Sequence, residues 1–517
     1  MDDNTIFSRN IGALRKRNPE LAGILVTVPS SHRYCGVRIS RTGDSVPVYE
    51  GDIAANSLYD PRKESARLLD ALAPDSFVFF CGAGGCFQVA EYLSRNPLGE
   101  CILAEPGAGH LRSLLELLDI SEILGSRRVT VIVDCSPASI AGILPRAYLP
   151  ALHGDFRLQV LRSWENRFGD ELAGIQAAVL EALESVSADY SVQAHFGRIW
   201  FRNCICNLQT AGNSQGFLPR FDLKKTAVIT AAGPGLEDSL DELRKNRDRF
   251  VILCVDTAWG PLHDSGIIPD LLVSIDAQAV SANHFMHPPG SGTSVVLDLC
   301  GNPEIARQAI RSRANLILAA GGHPFARYAS ASGGLPVMDT GSGTVTVSAL
   351  DIARSIGFTE IRMAGADFSY RNGKPYARGT YLEDLYGKVA SRIAPRETAY
   401  TALMFRTPVR RTVQDSRISY STEVLERYAR SFREYRQQGF WKPGQFARFP
   451  FDEFMQRYRS DLSCLLDDPC PEGPVFTSIL PLLAWYSARN GHAESQKPVR
   501  NTIQLALDLI AGYTSVS

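Results

Sequence analysis

The segment Ala231 to Leu240, AAGPGLEDSL, follows an apolar run and leads into a polar, helix-forming one. Gly233 and Gly235 let the backbone pass close to a ligand. The helix that this segment opens would offer free N–H groups and the positive end of its dipole to a phosphate. The segment lacks the Lys and Ser/Thr of a P-loop and departs from the dinucleotide pattern GxGxxG. Phosphate or nucleotide binding is the expectation, with a purely structural turn as the alternative. A second glycine-rich turn lies in DTGSGTVTVSAL, Asp339 to Leu350. There Gly341, Ser342, Gly343 and Thr344 can form an anion nest with hydroxyl donors at a helix start. The two turns together would grip a diphosphate, or a phosphate and the group attached to it.

Acids close the neighbouring apolar runs: Asp256 ends FVILCVD, Asp276 ends LLVSID, and Asp367 lies just past IRMAGA. In open α/β sheets ligands bind outside the carboxyl ends of the strands, so Asp256 and Asp276 could hold ribose hydroxyls, a metal or an acceptor hydroxyl; acids there also cap helices. No DxD pair occurs, and no metal is expected. His263, His284, His287 and His323 supply imidazoles that titrate near neutrality and suit general acid or base work. Tyr370, Arg371, Lys374, Tyr376 and Arg378 make a basic loop able to neutralise a departing phosphate. The same loop also reads as a solvated hairpin turning at Asn372 and Gly373. Asn203 and Asn207, four apart, share a helix face and are expected to cross-link backbone.

These residues need a scaffold, and the grammar around them is α/β. TAVITAA, FVILCVD, LLVSIDA, NLILAA and IRMAGAD read as buried parallel strands separated mostly by helices. An earlier block repeats the rhythm: SFVFF, a glycine turn at Gly82, Gly84 and Gly85, a helix, then CILAE and VTVIV. Glu105 there stands about 20 residues past the turn, where a carboxylate often holds a ribose. The pattern also suits a methyltransferase-like domain without its ligand, or a tight turn packed on its own helix. Asp60 to Leu72 reads as an amphipathic helix with Pro61 in its first turn. Residues 150 to 215 read as mostly helical, and the chain after 400 as a helical domain that covers a cleft, binds a partner or dimerises. The expected domains are 1–215, with a Rossmann-like core at about 75–150, then 220–395, then 400–517.

Bulk properties agree with several domains. The chain has 517 residues, 45% apolar and 21% charged, with a formal net charge of -1. That balance gives no global pull toward nucleic acid or an anionic membrane. Eleven cysteines, mostly in apolar runs, read as buried free thiols. The polar start resembles no signal peptide, and no run of about 20 apolar residues offers a membrane span. A cytoplasmic location follows as the default, and a homo-oligomer as the ordinary expectation.

ITAAGPGLEDSL, CVDTAWGPLHDSGIIPDLLVSIDAQ, GSGTVTVSALDIARSIGFTEIRMAGADFSY and KPYARGTY resemble, in order and spacing, the DUF115 or MptE-like family over residues 226 to 380. The family's usual Gly-x-Gly-Pro-Ser-Leu departs here: Gly233 and Pro234 are kept and Gly235 replaces the serine, so a hydroxyl donor is lost and a backbone N–H kept. LYDPRKESARLL, CGAGG, ILAEP and FRNCICNL look like the long bacterial members, the motility-associated (Maf) type. The resemblance implies a central fold similar to bacterial sialyltransferases. The implied activity is transfer of a nonulosonic acid (sialic, pseudaminic or legionaminic type) from a CMP-activated donor to Ser or Thr of flagellin. The implied donor site comprises Gly233, Pro234, Gly235, Leu236, Asp256, Gln278, Gly341, Ser342, Gly343, Thr344 and Asp367. Asp276 or His323 would be the base, and no cofactor would be tightly bound. Short archaeal relatives imply a different activity, a magnesium- and ATP-dependent 6-hydroxymethylpterin pyrophosphokinase. A third reading is a flagellin-binding assembly protein without turnover.

Overall fold

The computed structural model describes residues 5–73, 76–341, 343–414, 417–435, 441–468, 471–491 and 497–514. The chain divides into two compact units, residues 1–195 with 481–502, and residues 196–480 with 503–517. The helix Gly169–Asn213 supplies residues to both.

The first unit opens with two helices, Ile6–Arg17 and Pro19–Thr27; Asn18 ends the first and caps the second, whose first residue is Pro19. A small antiparallel sheet follows, β1 (Tyr34–Ile39), β2 (Ser45–Tyr49) and β3 (Ile53–Ala54). The helix Pro61–Leu69 starts as expected, with Asp60 accepting from Lys63 N. Then come β4 (Phe77–Cys81), β5 (Cys101–Ala104), β6 (Val129–Ile132) and β7 (Phe156–Val160), a parallel sheet in the order β6-β5-β4-β7. All five residues of β4 are buried. β7 is a strand that the helical reading of residues 150 to 215 passes over. It is an edge strand whose residues are only half covered, so its apolar signal is weak.

The second unit carries β8 (Phe217–Leu218) and then a six-stranded parallel sheet: β9 (Thr226–Thr230), β10 (Phe250–Val255), β11 (Leu271–Ser274), β12 (Ser294–Asp298), β13 (Asn315–Ala319) and β14 (Ile361–Ala364). The order is β13-β12-β11-β10-β9-β14. The chain steps outward strand by strand from β9 to β13, then returns in β14 to the other side of β9. Thr230 is therefore in register with both Cys254 and Ala364. Five of the strands coincide with the runs read from sequence, and β12 is additional. The helix Val345–Ile356, almost wholly buried, packs across β9, β10 and β11 and makes the long return. Asn203 and Asn207 lie on one helix and donate through Nδ2 to the carbonyls of Ala277, Cys300, Leu299 and Gly301, the backbone cross-link expected of them.

Past β14 the chain adds β15 (Tyr370–Arg371), β16 (Arg410–Gln414) and β17 (Arg417–Ser421), an antiparallel sheet in the order β15-β17-β16. β18 (Gly444–Gln445) pairs with β8. Helices Glu423–Arg433, Phe451–Cys464, Gly473–Ser478, Leu480–Asn490 and Lys497–Thr514 make the C-terminal region mainly helical. No helix of the described residues is long and apolar enough to cross a membrane. The ten described cysteines are free thiols, six of them buried.

Candidate functional site

The carboxyl edge of the six-stranded sheet gathers most of the residues singled out in the sequence. At the end of β10, Asp256 is buried. Its Oδ2 accepts from Ser274 Oγ at 2.7 Å, and its Oδ1 from the Thr257 N–H at 2.7 Å. Burial raises its carboxyl above the usual range, and His284 partly offsets this. His284 comes from the 3-10 segment Ala279–Phe285 after β11 and rests edge-on against Tyr381, ring centres 4.6 Å apart. Burial lowers its imidazole below the ordinary value, opposed by Asp256 and Asp276. Acid and imidazole thus pull one another toward the charged form while burial pulls both toward the neutral form. Asp276 is half-buried and accepts from the Gln278 N–H, and Gln278 is exposed at the head of the same segment.

The Gly233–Leu236 turn joins this edge beside β14. It is a three-residue 3-10 turn, Pro234–Leu236, followed by the six-residue helix Leu240–Lys245, rather than the opening of one long helix. The Gly235 N–H is taken: it donates to Asp367 Oδ2 at 2.6 Å. The Gly233 N–H donates to the Gly365 carbonyl. A Cβ on Gly233 would come under 3.0 Å from that carbonyl, and one on Gly235 under 3.0 Å from Arg371 Nη1 and Asp367. The glycines are required by the close approach of the chain leaving β14. The basic loop is latched onto the acids that follow the turn. Arg371 pairs with Asp367 at 3.0 Å and Asp238 at 3.6 Å, and Lys374 with Glu237 at 3.0 Å. Asn372 and Gly373 both have positive φ, 54° and 72°, and Arg371 bridges Lys374 across them, the hairpin turn read at these two residues.

The second glycine turn lies before the helix Val345–Ile356. Gly341 N donates to Asp339 Oδ1, Gly343 (φ 68°) donates to the Thr340 carbonyl, and Thr344 occupies the cap position without a side-chain bond. Ser342 lies outside the described residues. Thr340 Oγ1 accepts from Gly322 N, tying this turn to the end of β13. His323 is there, and its Nδ1 accepts from Phe325 N as the cap of the helix Pro324–Gly333. Its Nε2 is buried without a hydrogen-bond partner, the ring stands edge-on to Trp200, and burial lowers the imidazole to about 3.

One acid escaped the sequence reading. Asp298 ends β12, accepts from Cys300 N and Gly321 N through Oδ1, and is pushed up to about 6 by burial. The signal was present, since VVLD has the same shape as FVILCVD and LLVSID, an apolar run closed by Asp. Among the described residues, His263, Asp264 and His287 place ligand atoms within 4.8 Å of one another, a set that could hold a borderline metal ion. All three are exposed, and the two imidazoles stack 4.0 Å apart.

The corresponding edge of the first unit is filled by the protein itself. The Glu105 carboxylate, wholly buried, accepts from Ala83 N, Tyr34 Oη (both 2.8 Å) and Arg33 Nη1 (3.2 Å). A Cβ on Gly82 would run into the Trp164 ring, and one on Gly84 into Leu161 and Asn56, all under 3.0 Å. The space beside the turn, where a ribose or a methyl donor would lie, holds Tyr34, Trp164 and Asn56. Glu105 is an internal anchor.

Buried acids, an imidazole and two glycine turns thus lie at the carboxyl edge of an open parallel sheet, the edge outside which open α/β sheets bind their ligands. The chain belongs to the MptE-like family, whose model, described as 6-hydroxymethylpterin diphosphokinase MptE-like, matches residues 201–373. Two uncharacterized proteins of Treponema pallidum (strain Nichols) are relatives. One is 35% identical over 232 residues, 45% of this chain and 80% of that protein; the other is 32% identical over 176 residues, 34% and 84%. In fold, the chain is similar along nearly its whole length to a solved structure, the MAf glycosyltransferase from Magnetospirillum magneticum AMB-1. The TM-score is 0.57 at 15% identity, covering 99% of this chain and 96% of that one.

Proposed function

We propose that this protein is a glycosyltransferase that moves a nonulosonic acid from a CMP-activated donor to serine or threonine of flagellin, on a central domain similar to that of bacterial sialyltransferases. The observation that carries the reading is the whole-length likeness in fold to a Maf glycosyltransferase, extending over both units and the C-terminal helices. The sheet edge supplies the parts such a transfer needs. The donor would lie along Gly233–Leu236 and Gly341–Thr344, with Asp256, Gln278 and Asp367 beside it.

For the base that takes the acceptor's proton, the geometry favours His284 over His323. Burial lowers the His284 imidazole, which favours the free-base form, and Asp256 would stabilise the imidazolium formed as the hydroxyl attacks. Asp276 is the second candidate. His323 already caps a helix with one nitrogen and buries the other. Arg371 and Lys374 are near enough to the turn to meet the departing phosphate. Incubation with a CMP-activated nonulosonic acid and flagellin, read by intact mass, should add one sugar mass per modified residue. Absence of CMP binding together with magnesium-dependent binding of ATP would overturn the reading. It would favour the diphosphokinase chemistry named in the family description, the second reading that the match over residues 201–373 keeps in play.

A further inference from the structure

Beside the Gly233–Leu236 turn lies a cleft of about 560 Å³ that shares only Asp367 with the donor site proposed above. One wall is the chain leaving β14, with Asp367 and Phe368. The other is the helix Glu423–Arg433, which turns Glu426, Arg430 and Arg433 toward it at helical spacing. Arg410 closes one end.

The charges in this cleft do not balance. Asp367 is matched by Arg371 and the Gly235 N–H, and Glu426 by Arg410 at 3.1 Å. Both acids in the walls are thereby answered. Arg430 and Arg433 have no acidic partner among the described residues. Two like charges one helical turn apart destabilise a helix unless something answers them.

The backbone adds an independent sign. Phe368 has φ 45°, a left-handed conformation that a bulky side chain rarely adopts and that costs about 1–3 kcal/mol. In that conformation its ring lies 5.8 Å from Phe432, and the two rings form the apolar part of the lining. Strain of this kind persists where the surroundings over-determine it, most often at ligand clamps.

We propose that this cleft is a binding site for a small organic anion. Arg430 and Arg433 would hold its carboxylate or phosphate through charge-assisted hydrogen bonds, and Phe368 and Phe432 would pack against its body. Guanidiniums fix the charge, and the two rings with Ser421 suit a ring bearing hydroxyls. The site goes beyond the transfer reading and stands without it, because Arg430, Arg433, Phe368 and Phe432 belong to none of the donor-site residues.

The test uses the full chain and ligand-detected NMR at low salt with four probes: N-acetylneuraminic acid, its methyl ester, inorganic phosphate and CMP. Wild type should bind the free acid or phosphate. The methyl ester should bind at least about ten-fold more weakly than the acid. The double variant Arg430→Gln with Arg433→Gln should lose at least about ten-fold in anion affinity. Arg427→Gln, on the same helix but outside the lining of the cleft, should lose far less than the double variant. Preference for the sugar acid makes the ligand a carboxylated sugar, and preference for phosphate makes it a phosphate ester; both support the site. Anion binding that is the same in the double variant as in wild type overturns it. So does an absence of binding by wild type up to ~10 mM of both anions. Loss of CMP binding in wild type with anion binding intact would sink the donor reading and leave this one standing.

Discussion

The Gly235 N–H donates to a carboxylate of the same chain, Asp367, at 2.6 Å, although 132 residues separate the two. The return of β14 to the side of β9 makes the meeting possible. A donor phosphate settling on this turn must share or displace that carboxylate, and Arg371 is placed to follow Asp367 or to stay with the newcomer.

Methyl groups at the two glycines should therefore have unequal effects. At Gly233 the clash is with Asp367 Oδ2 and also with the backbone carbonyl of Gly365, which cannot move aside; at Gly235 it is only with the side chains of Arg371 and Asp367, which can. Gly233→Ala should destabilise by about 1–3 kcal/mol and Gly235→Ala by less. Urea denaturation of the two variants checks the order. Nucleotide affinity should fall in both, and retention of full affinity by Gly233→Ala would remove this turn from the donor site.

His284→Ala should cut transfer by about 10²–10⁴ while leaving nucleotide binding in place. Burial lowers the imidazole, so the wild-type rate should rise with pH through a midpoint below that of ordinary histidine, about 6.5. That acidic limb should vanish from the residual rate of the variant. An unchanged limb would shift the role to Asp276, whose Asn variant is the companion measurement.

His323 should make the fold acid-sensitive. Its folded value of about 3 lies below the unfolded one, so below about pH 6.5 the unfolded chain takes a proton that the folded chain refuses. The stability of the neutral ring is intact above pH 6.5 and is lost as the pH falls toward 3. His323→Asn keeps an acceptor for Phe325 N and removes the titration. Thermal denaturation at pH 7 and pH 5 should show a smaller difference for the variant than for wild type.

Glu105→Ala should destabilise the first unit by about 3 kcal/mol, because Arg33 and Tyr34 lose a buried carboxylate. Glu105→Gln should cost less. Wild type should give a flat isotherm with S-adenosylmethionine, and a saturable one would mean that Trp164 and Tyr34 can leave the crevice.

Much of this architecture is legible in the sequence because its strands are buried on both faces and read as unbroken apolar runs. β4, β9 and β10 show it most plainly, each closed by glycine or Asp. β12 is set among Gly, Ser and Thr, so its apolar signal is diluted by the turns around it. β7 is an edge strand with polar residues, and the hairpin β16–β17 is exposed. The acids at strand ends are legible for the same reason as the strands. Their partners are not, because Asp256 with His284 and Gly235 with Asp367 depend on which strands the fold makes neighbours. Spacing likewise cannot show that His323 turns into the protein to cap a helix.

The crowded crevice of the first unit bears on how much ligand the chain can hold. Two sheets have the same parallel layout, and a count of motifs would give two nucleotides per polypeptide. Glu105, Tyr34 and Trp164 act as a permanent built-in occupant of one of them. Nucleotide titrated into this protein should saturate at about one equivalent.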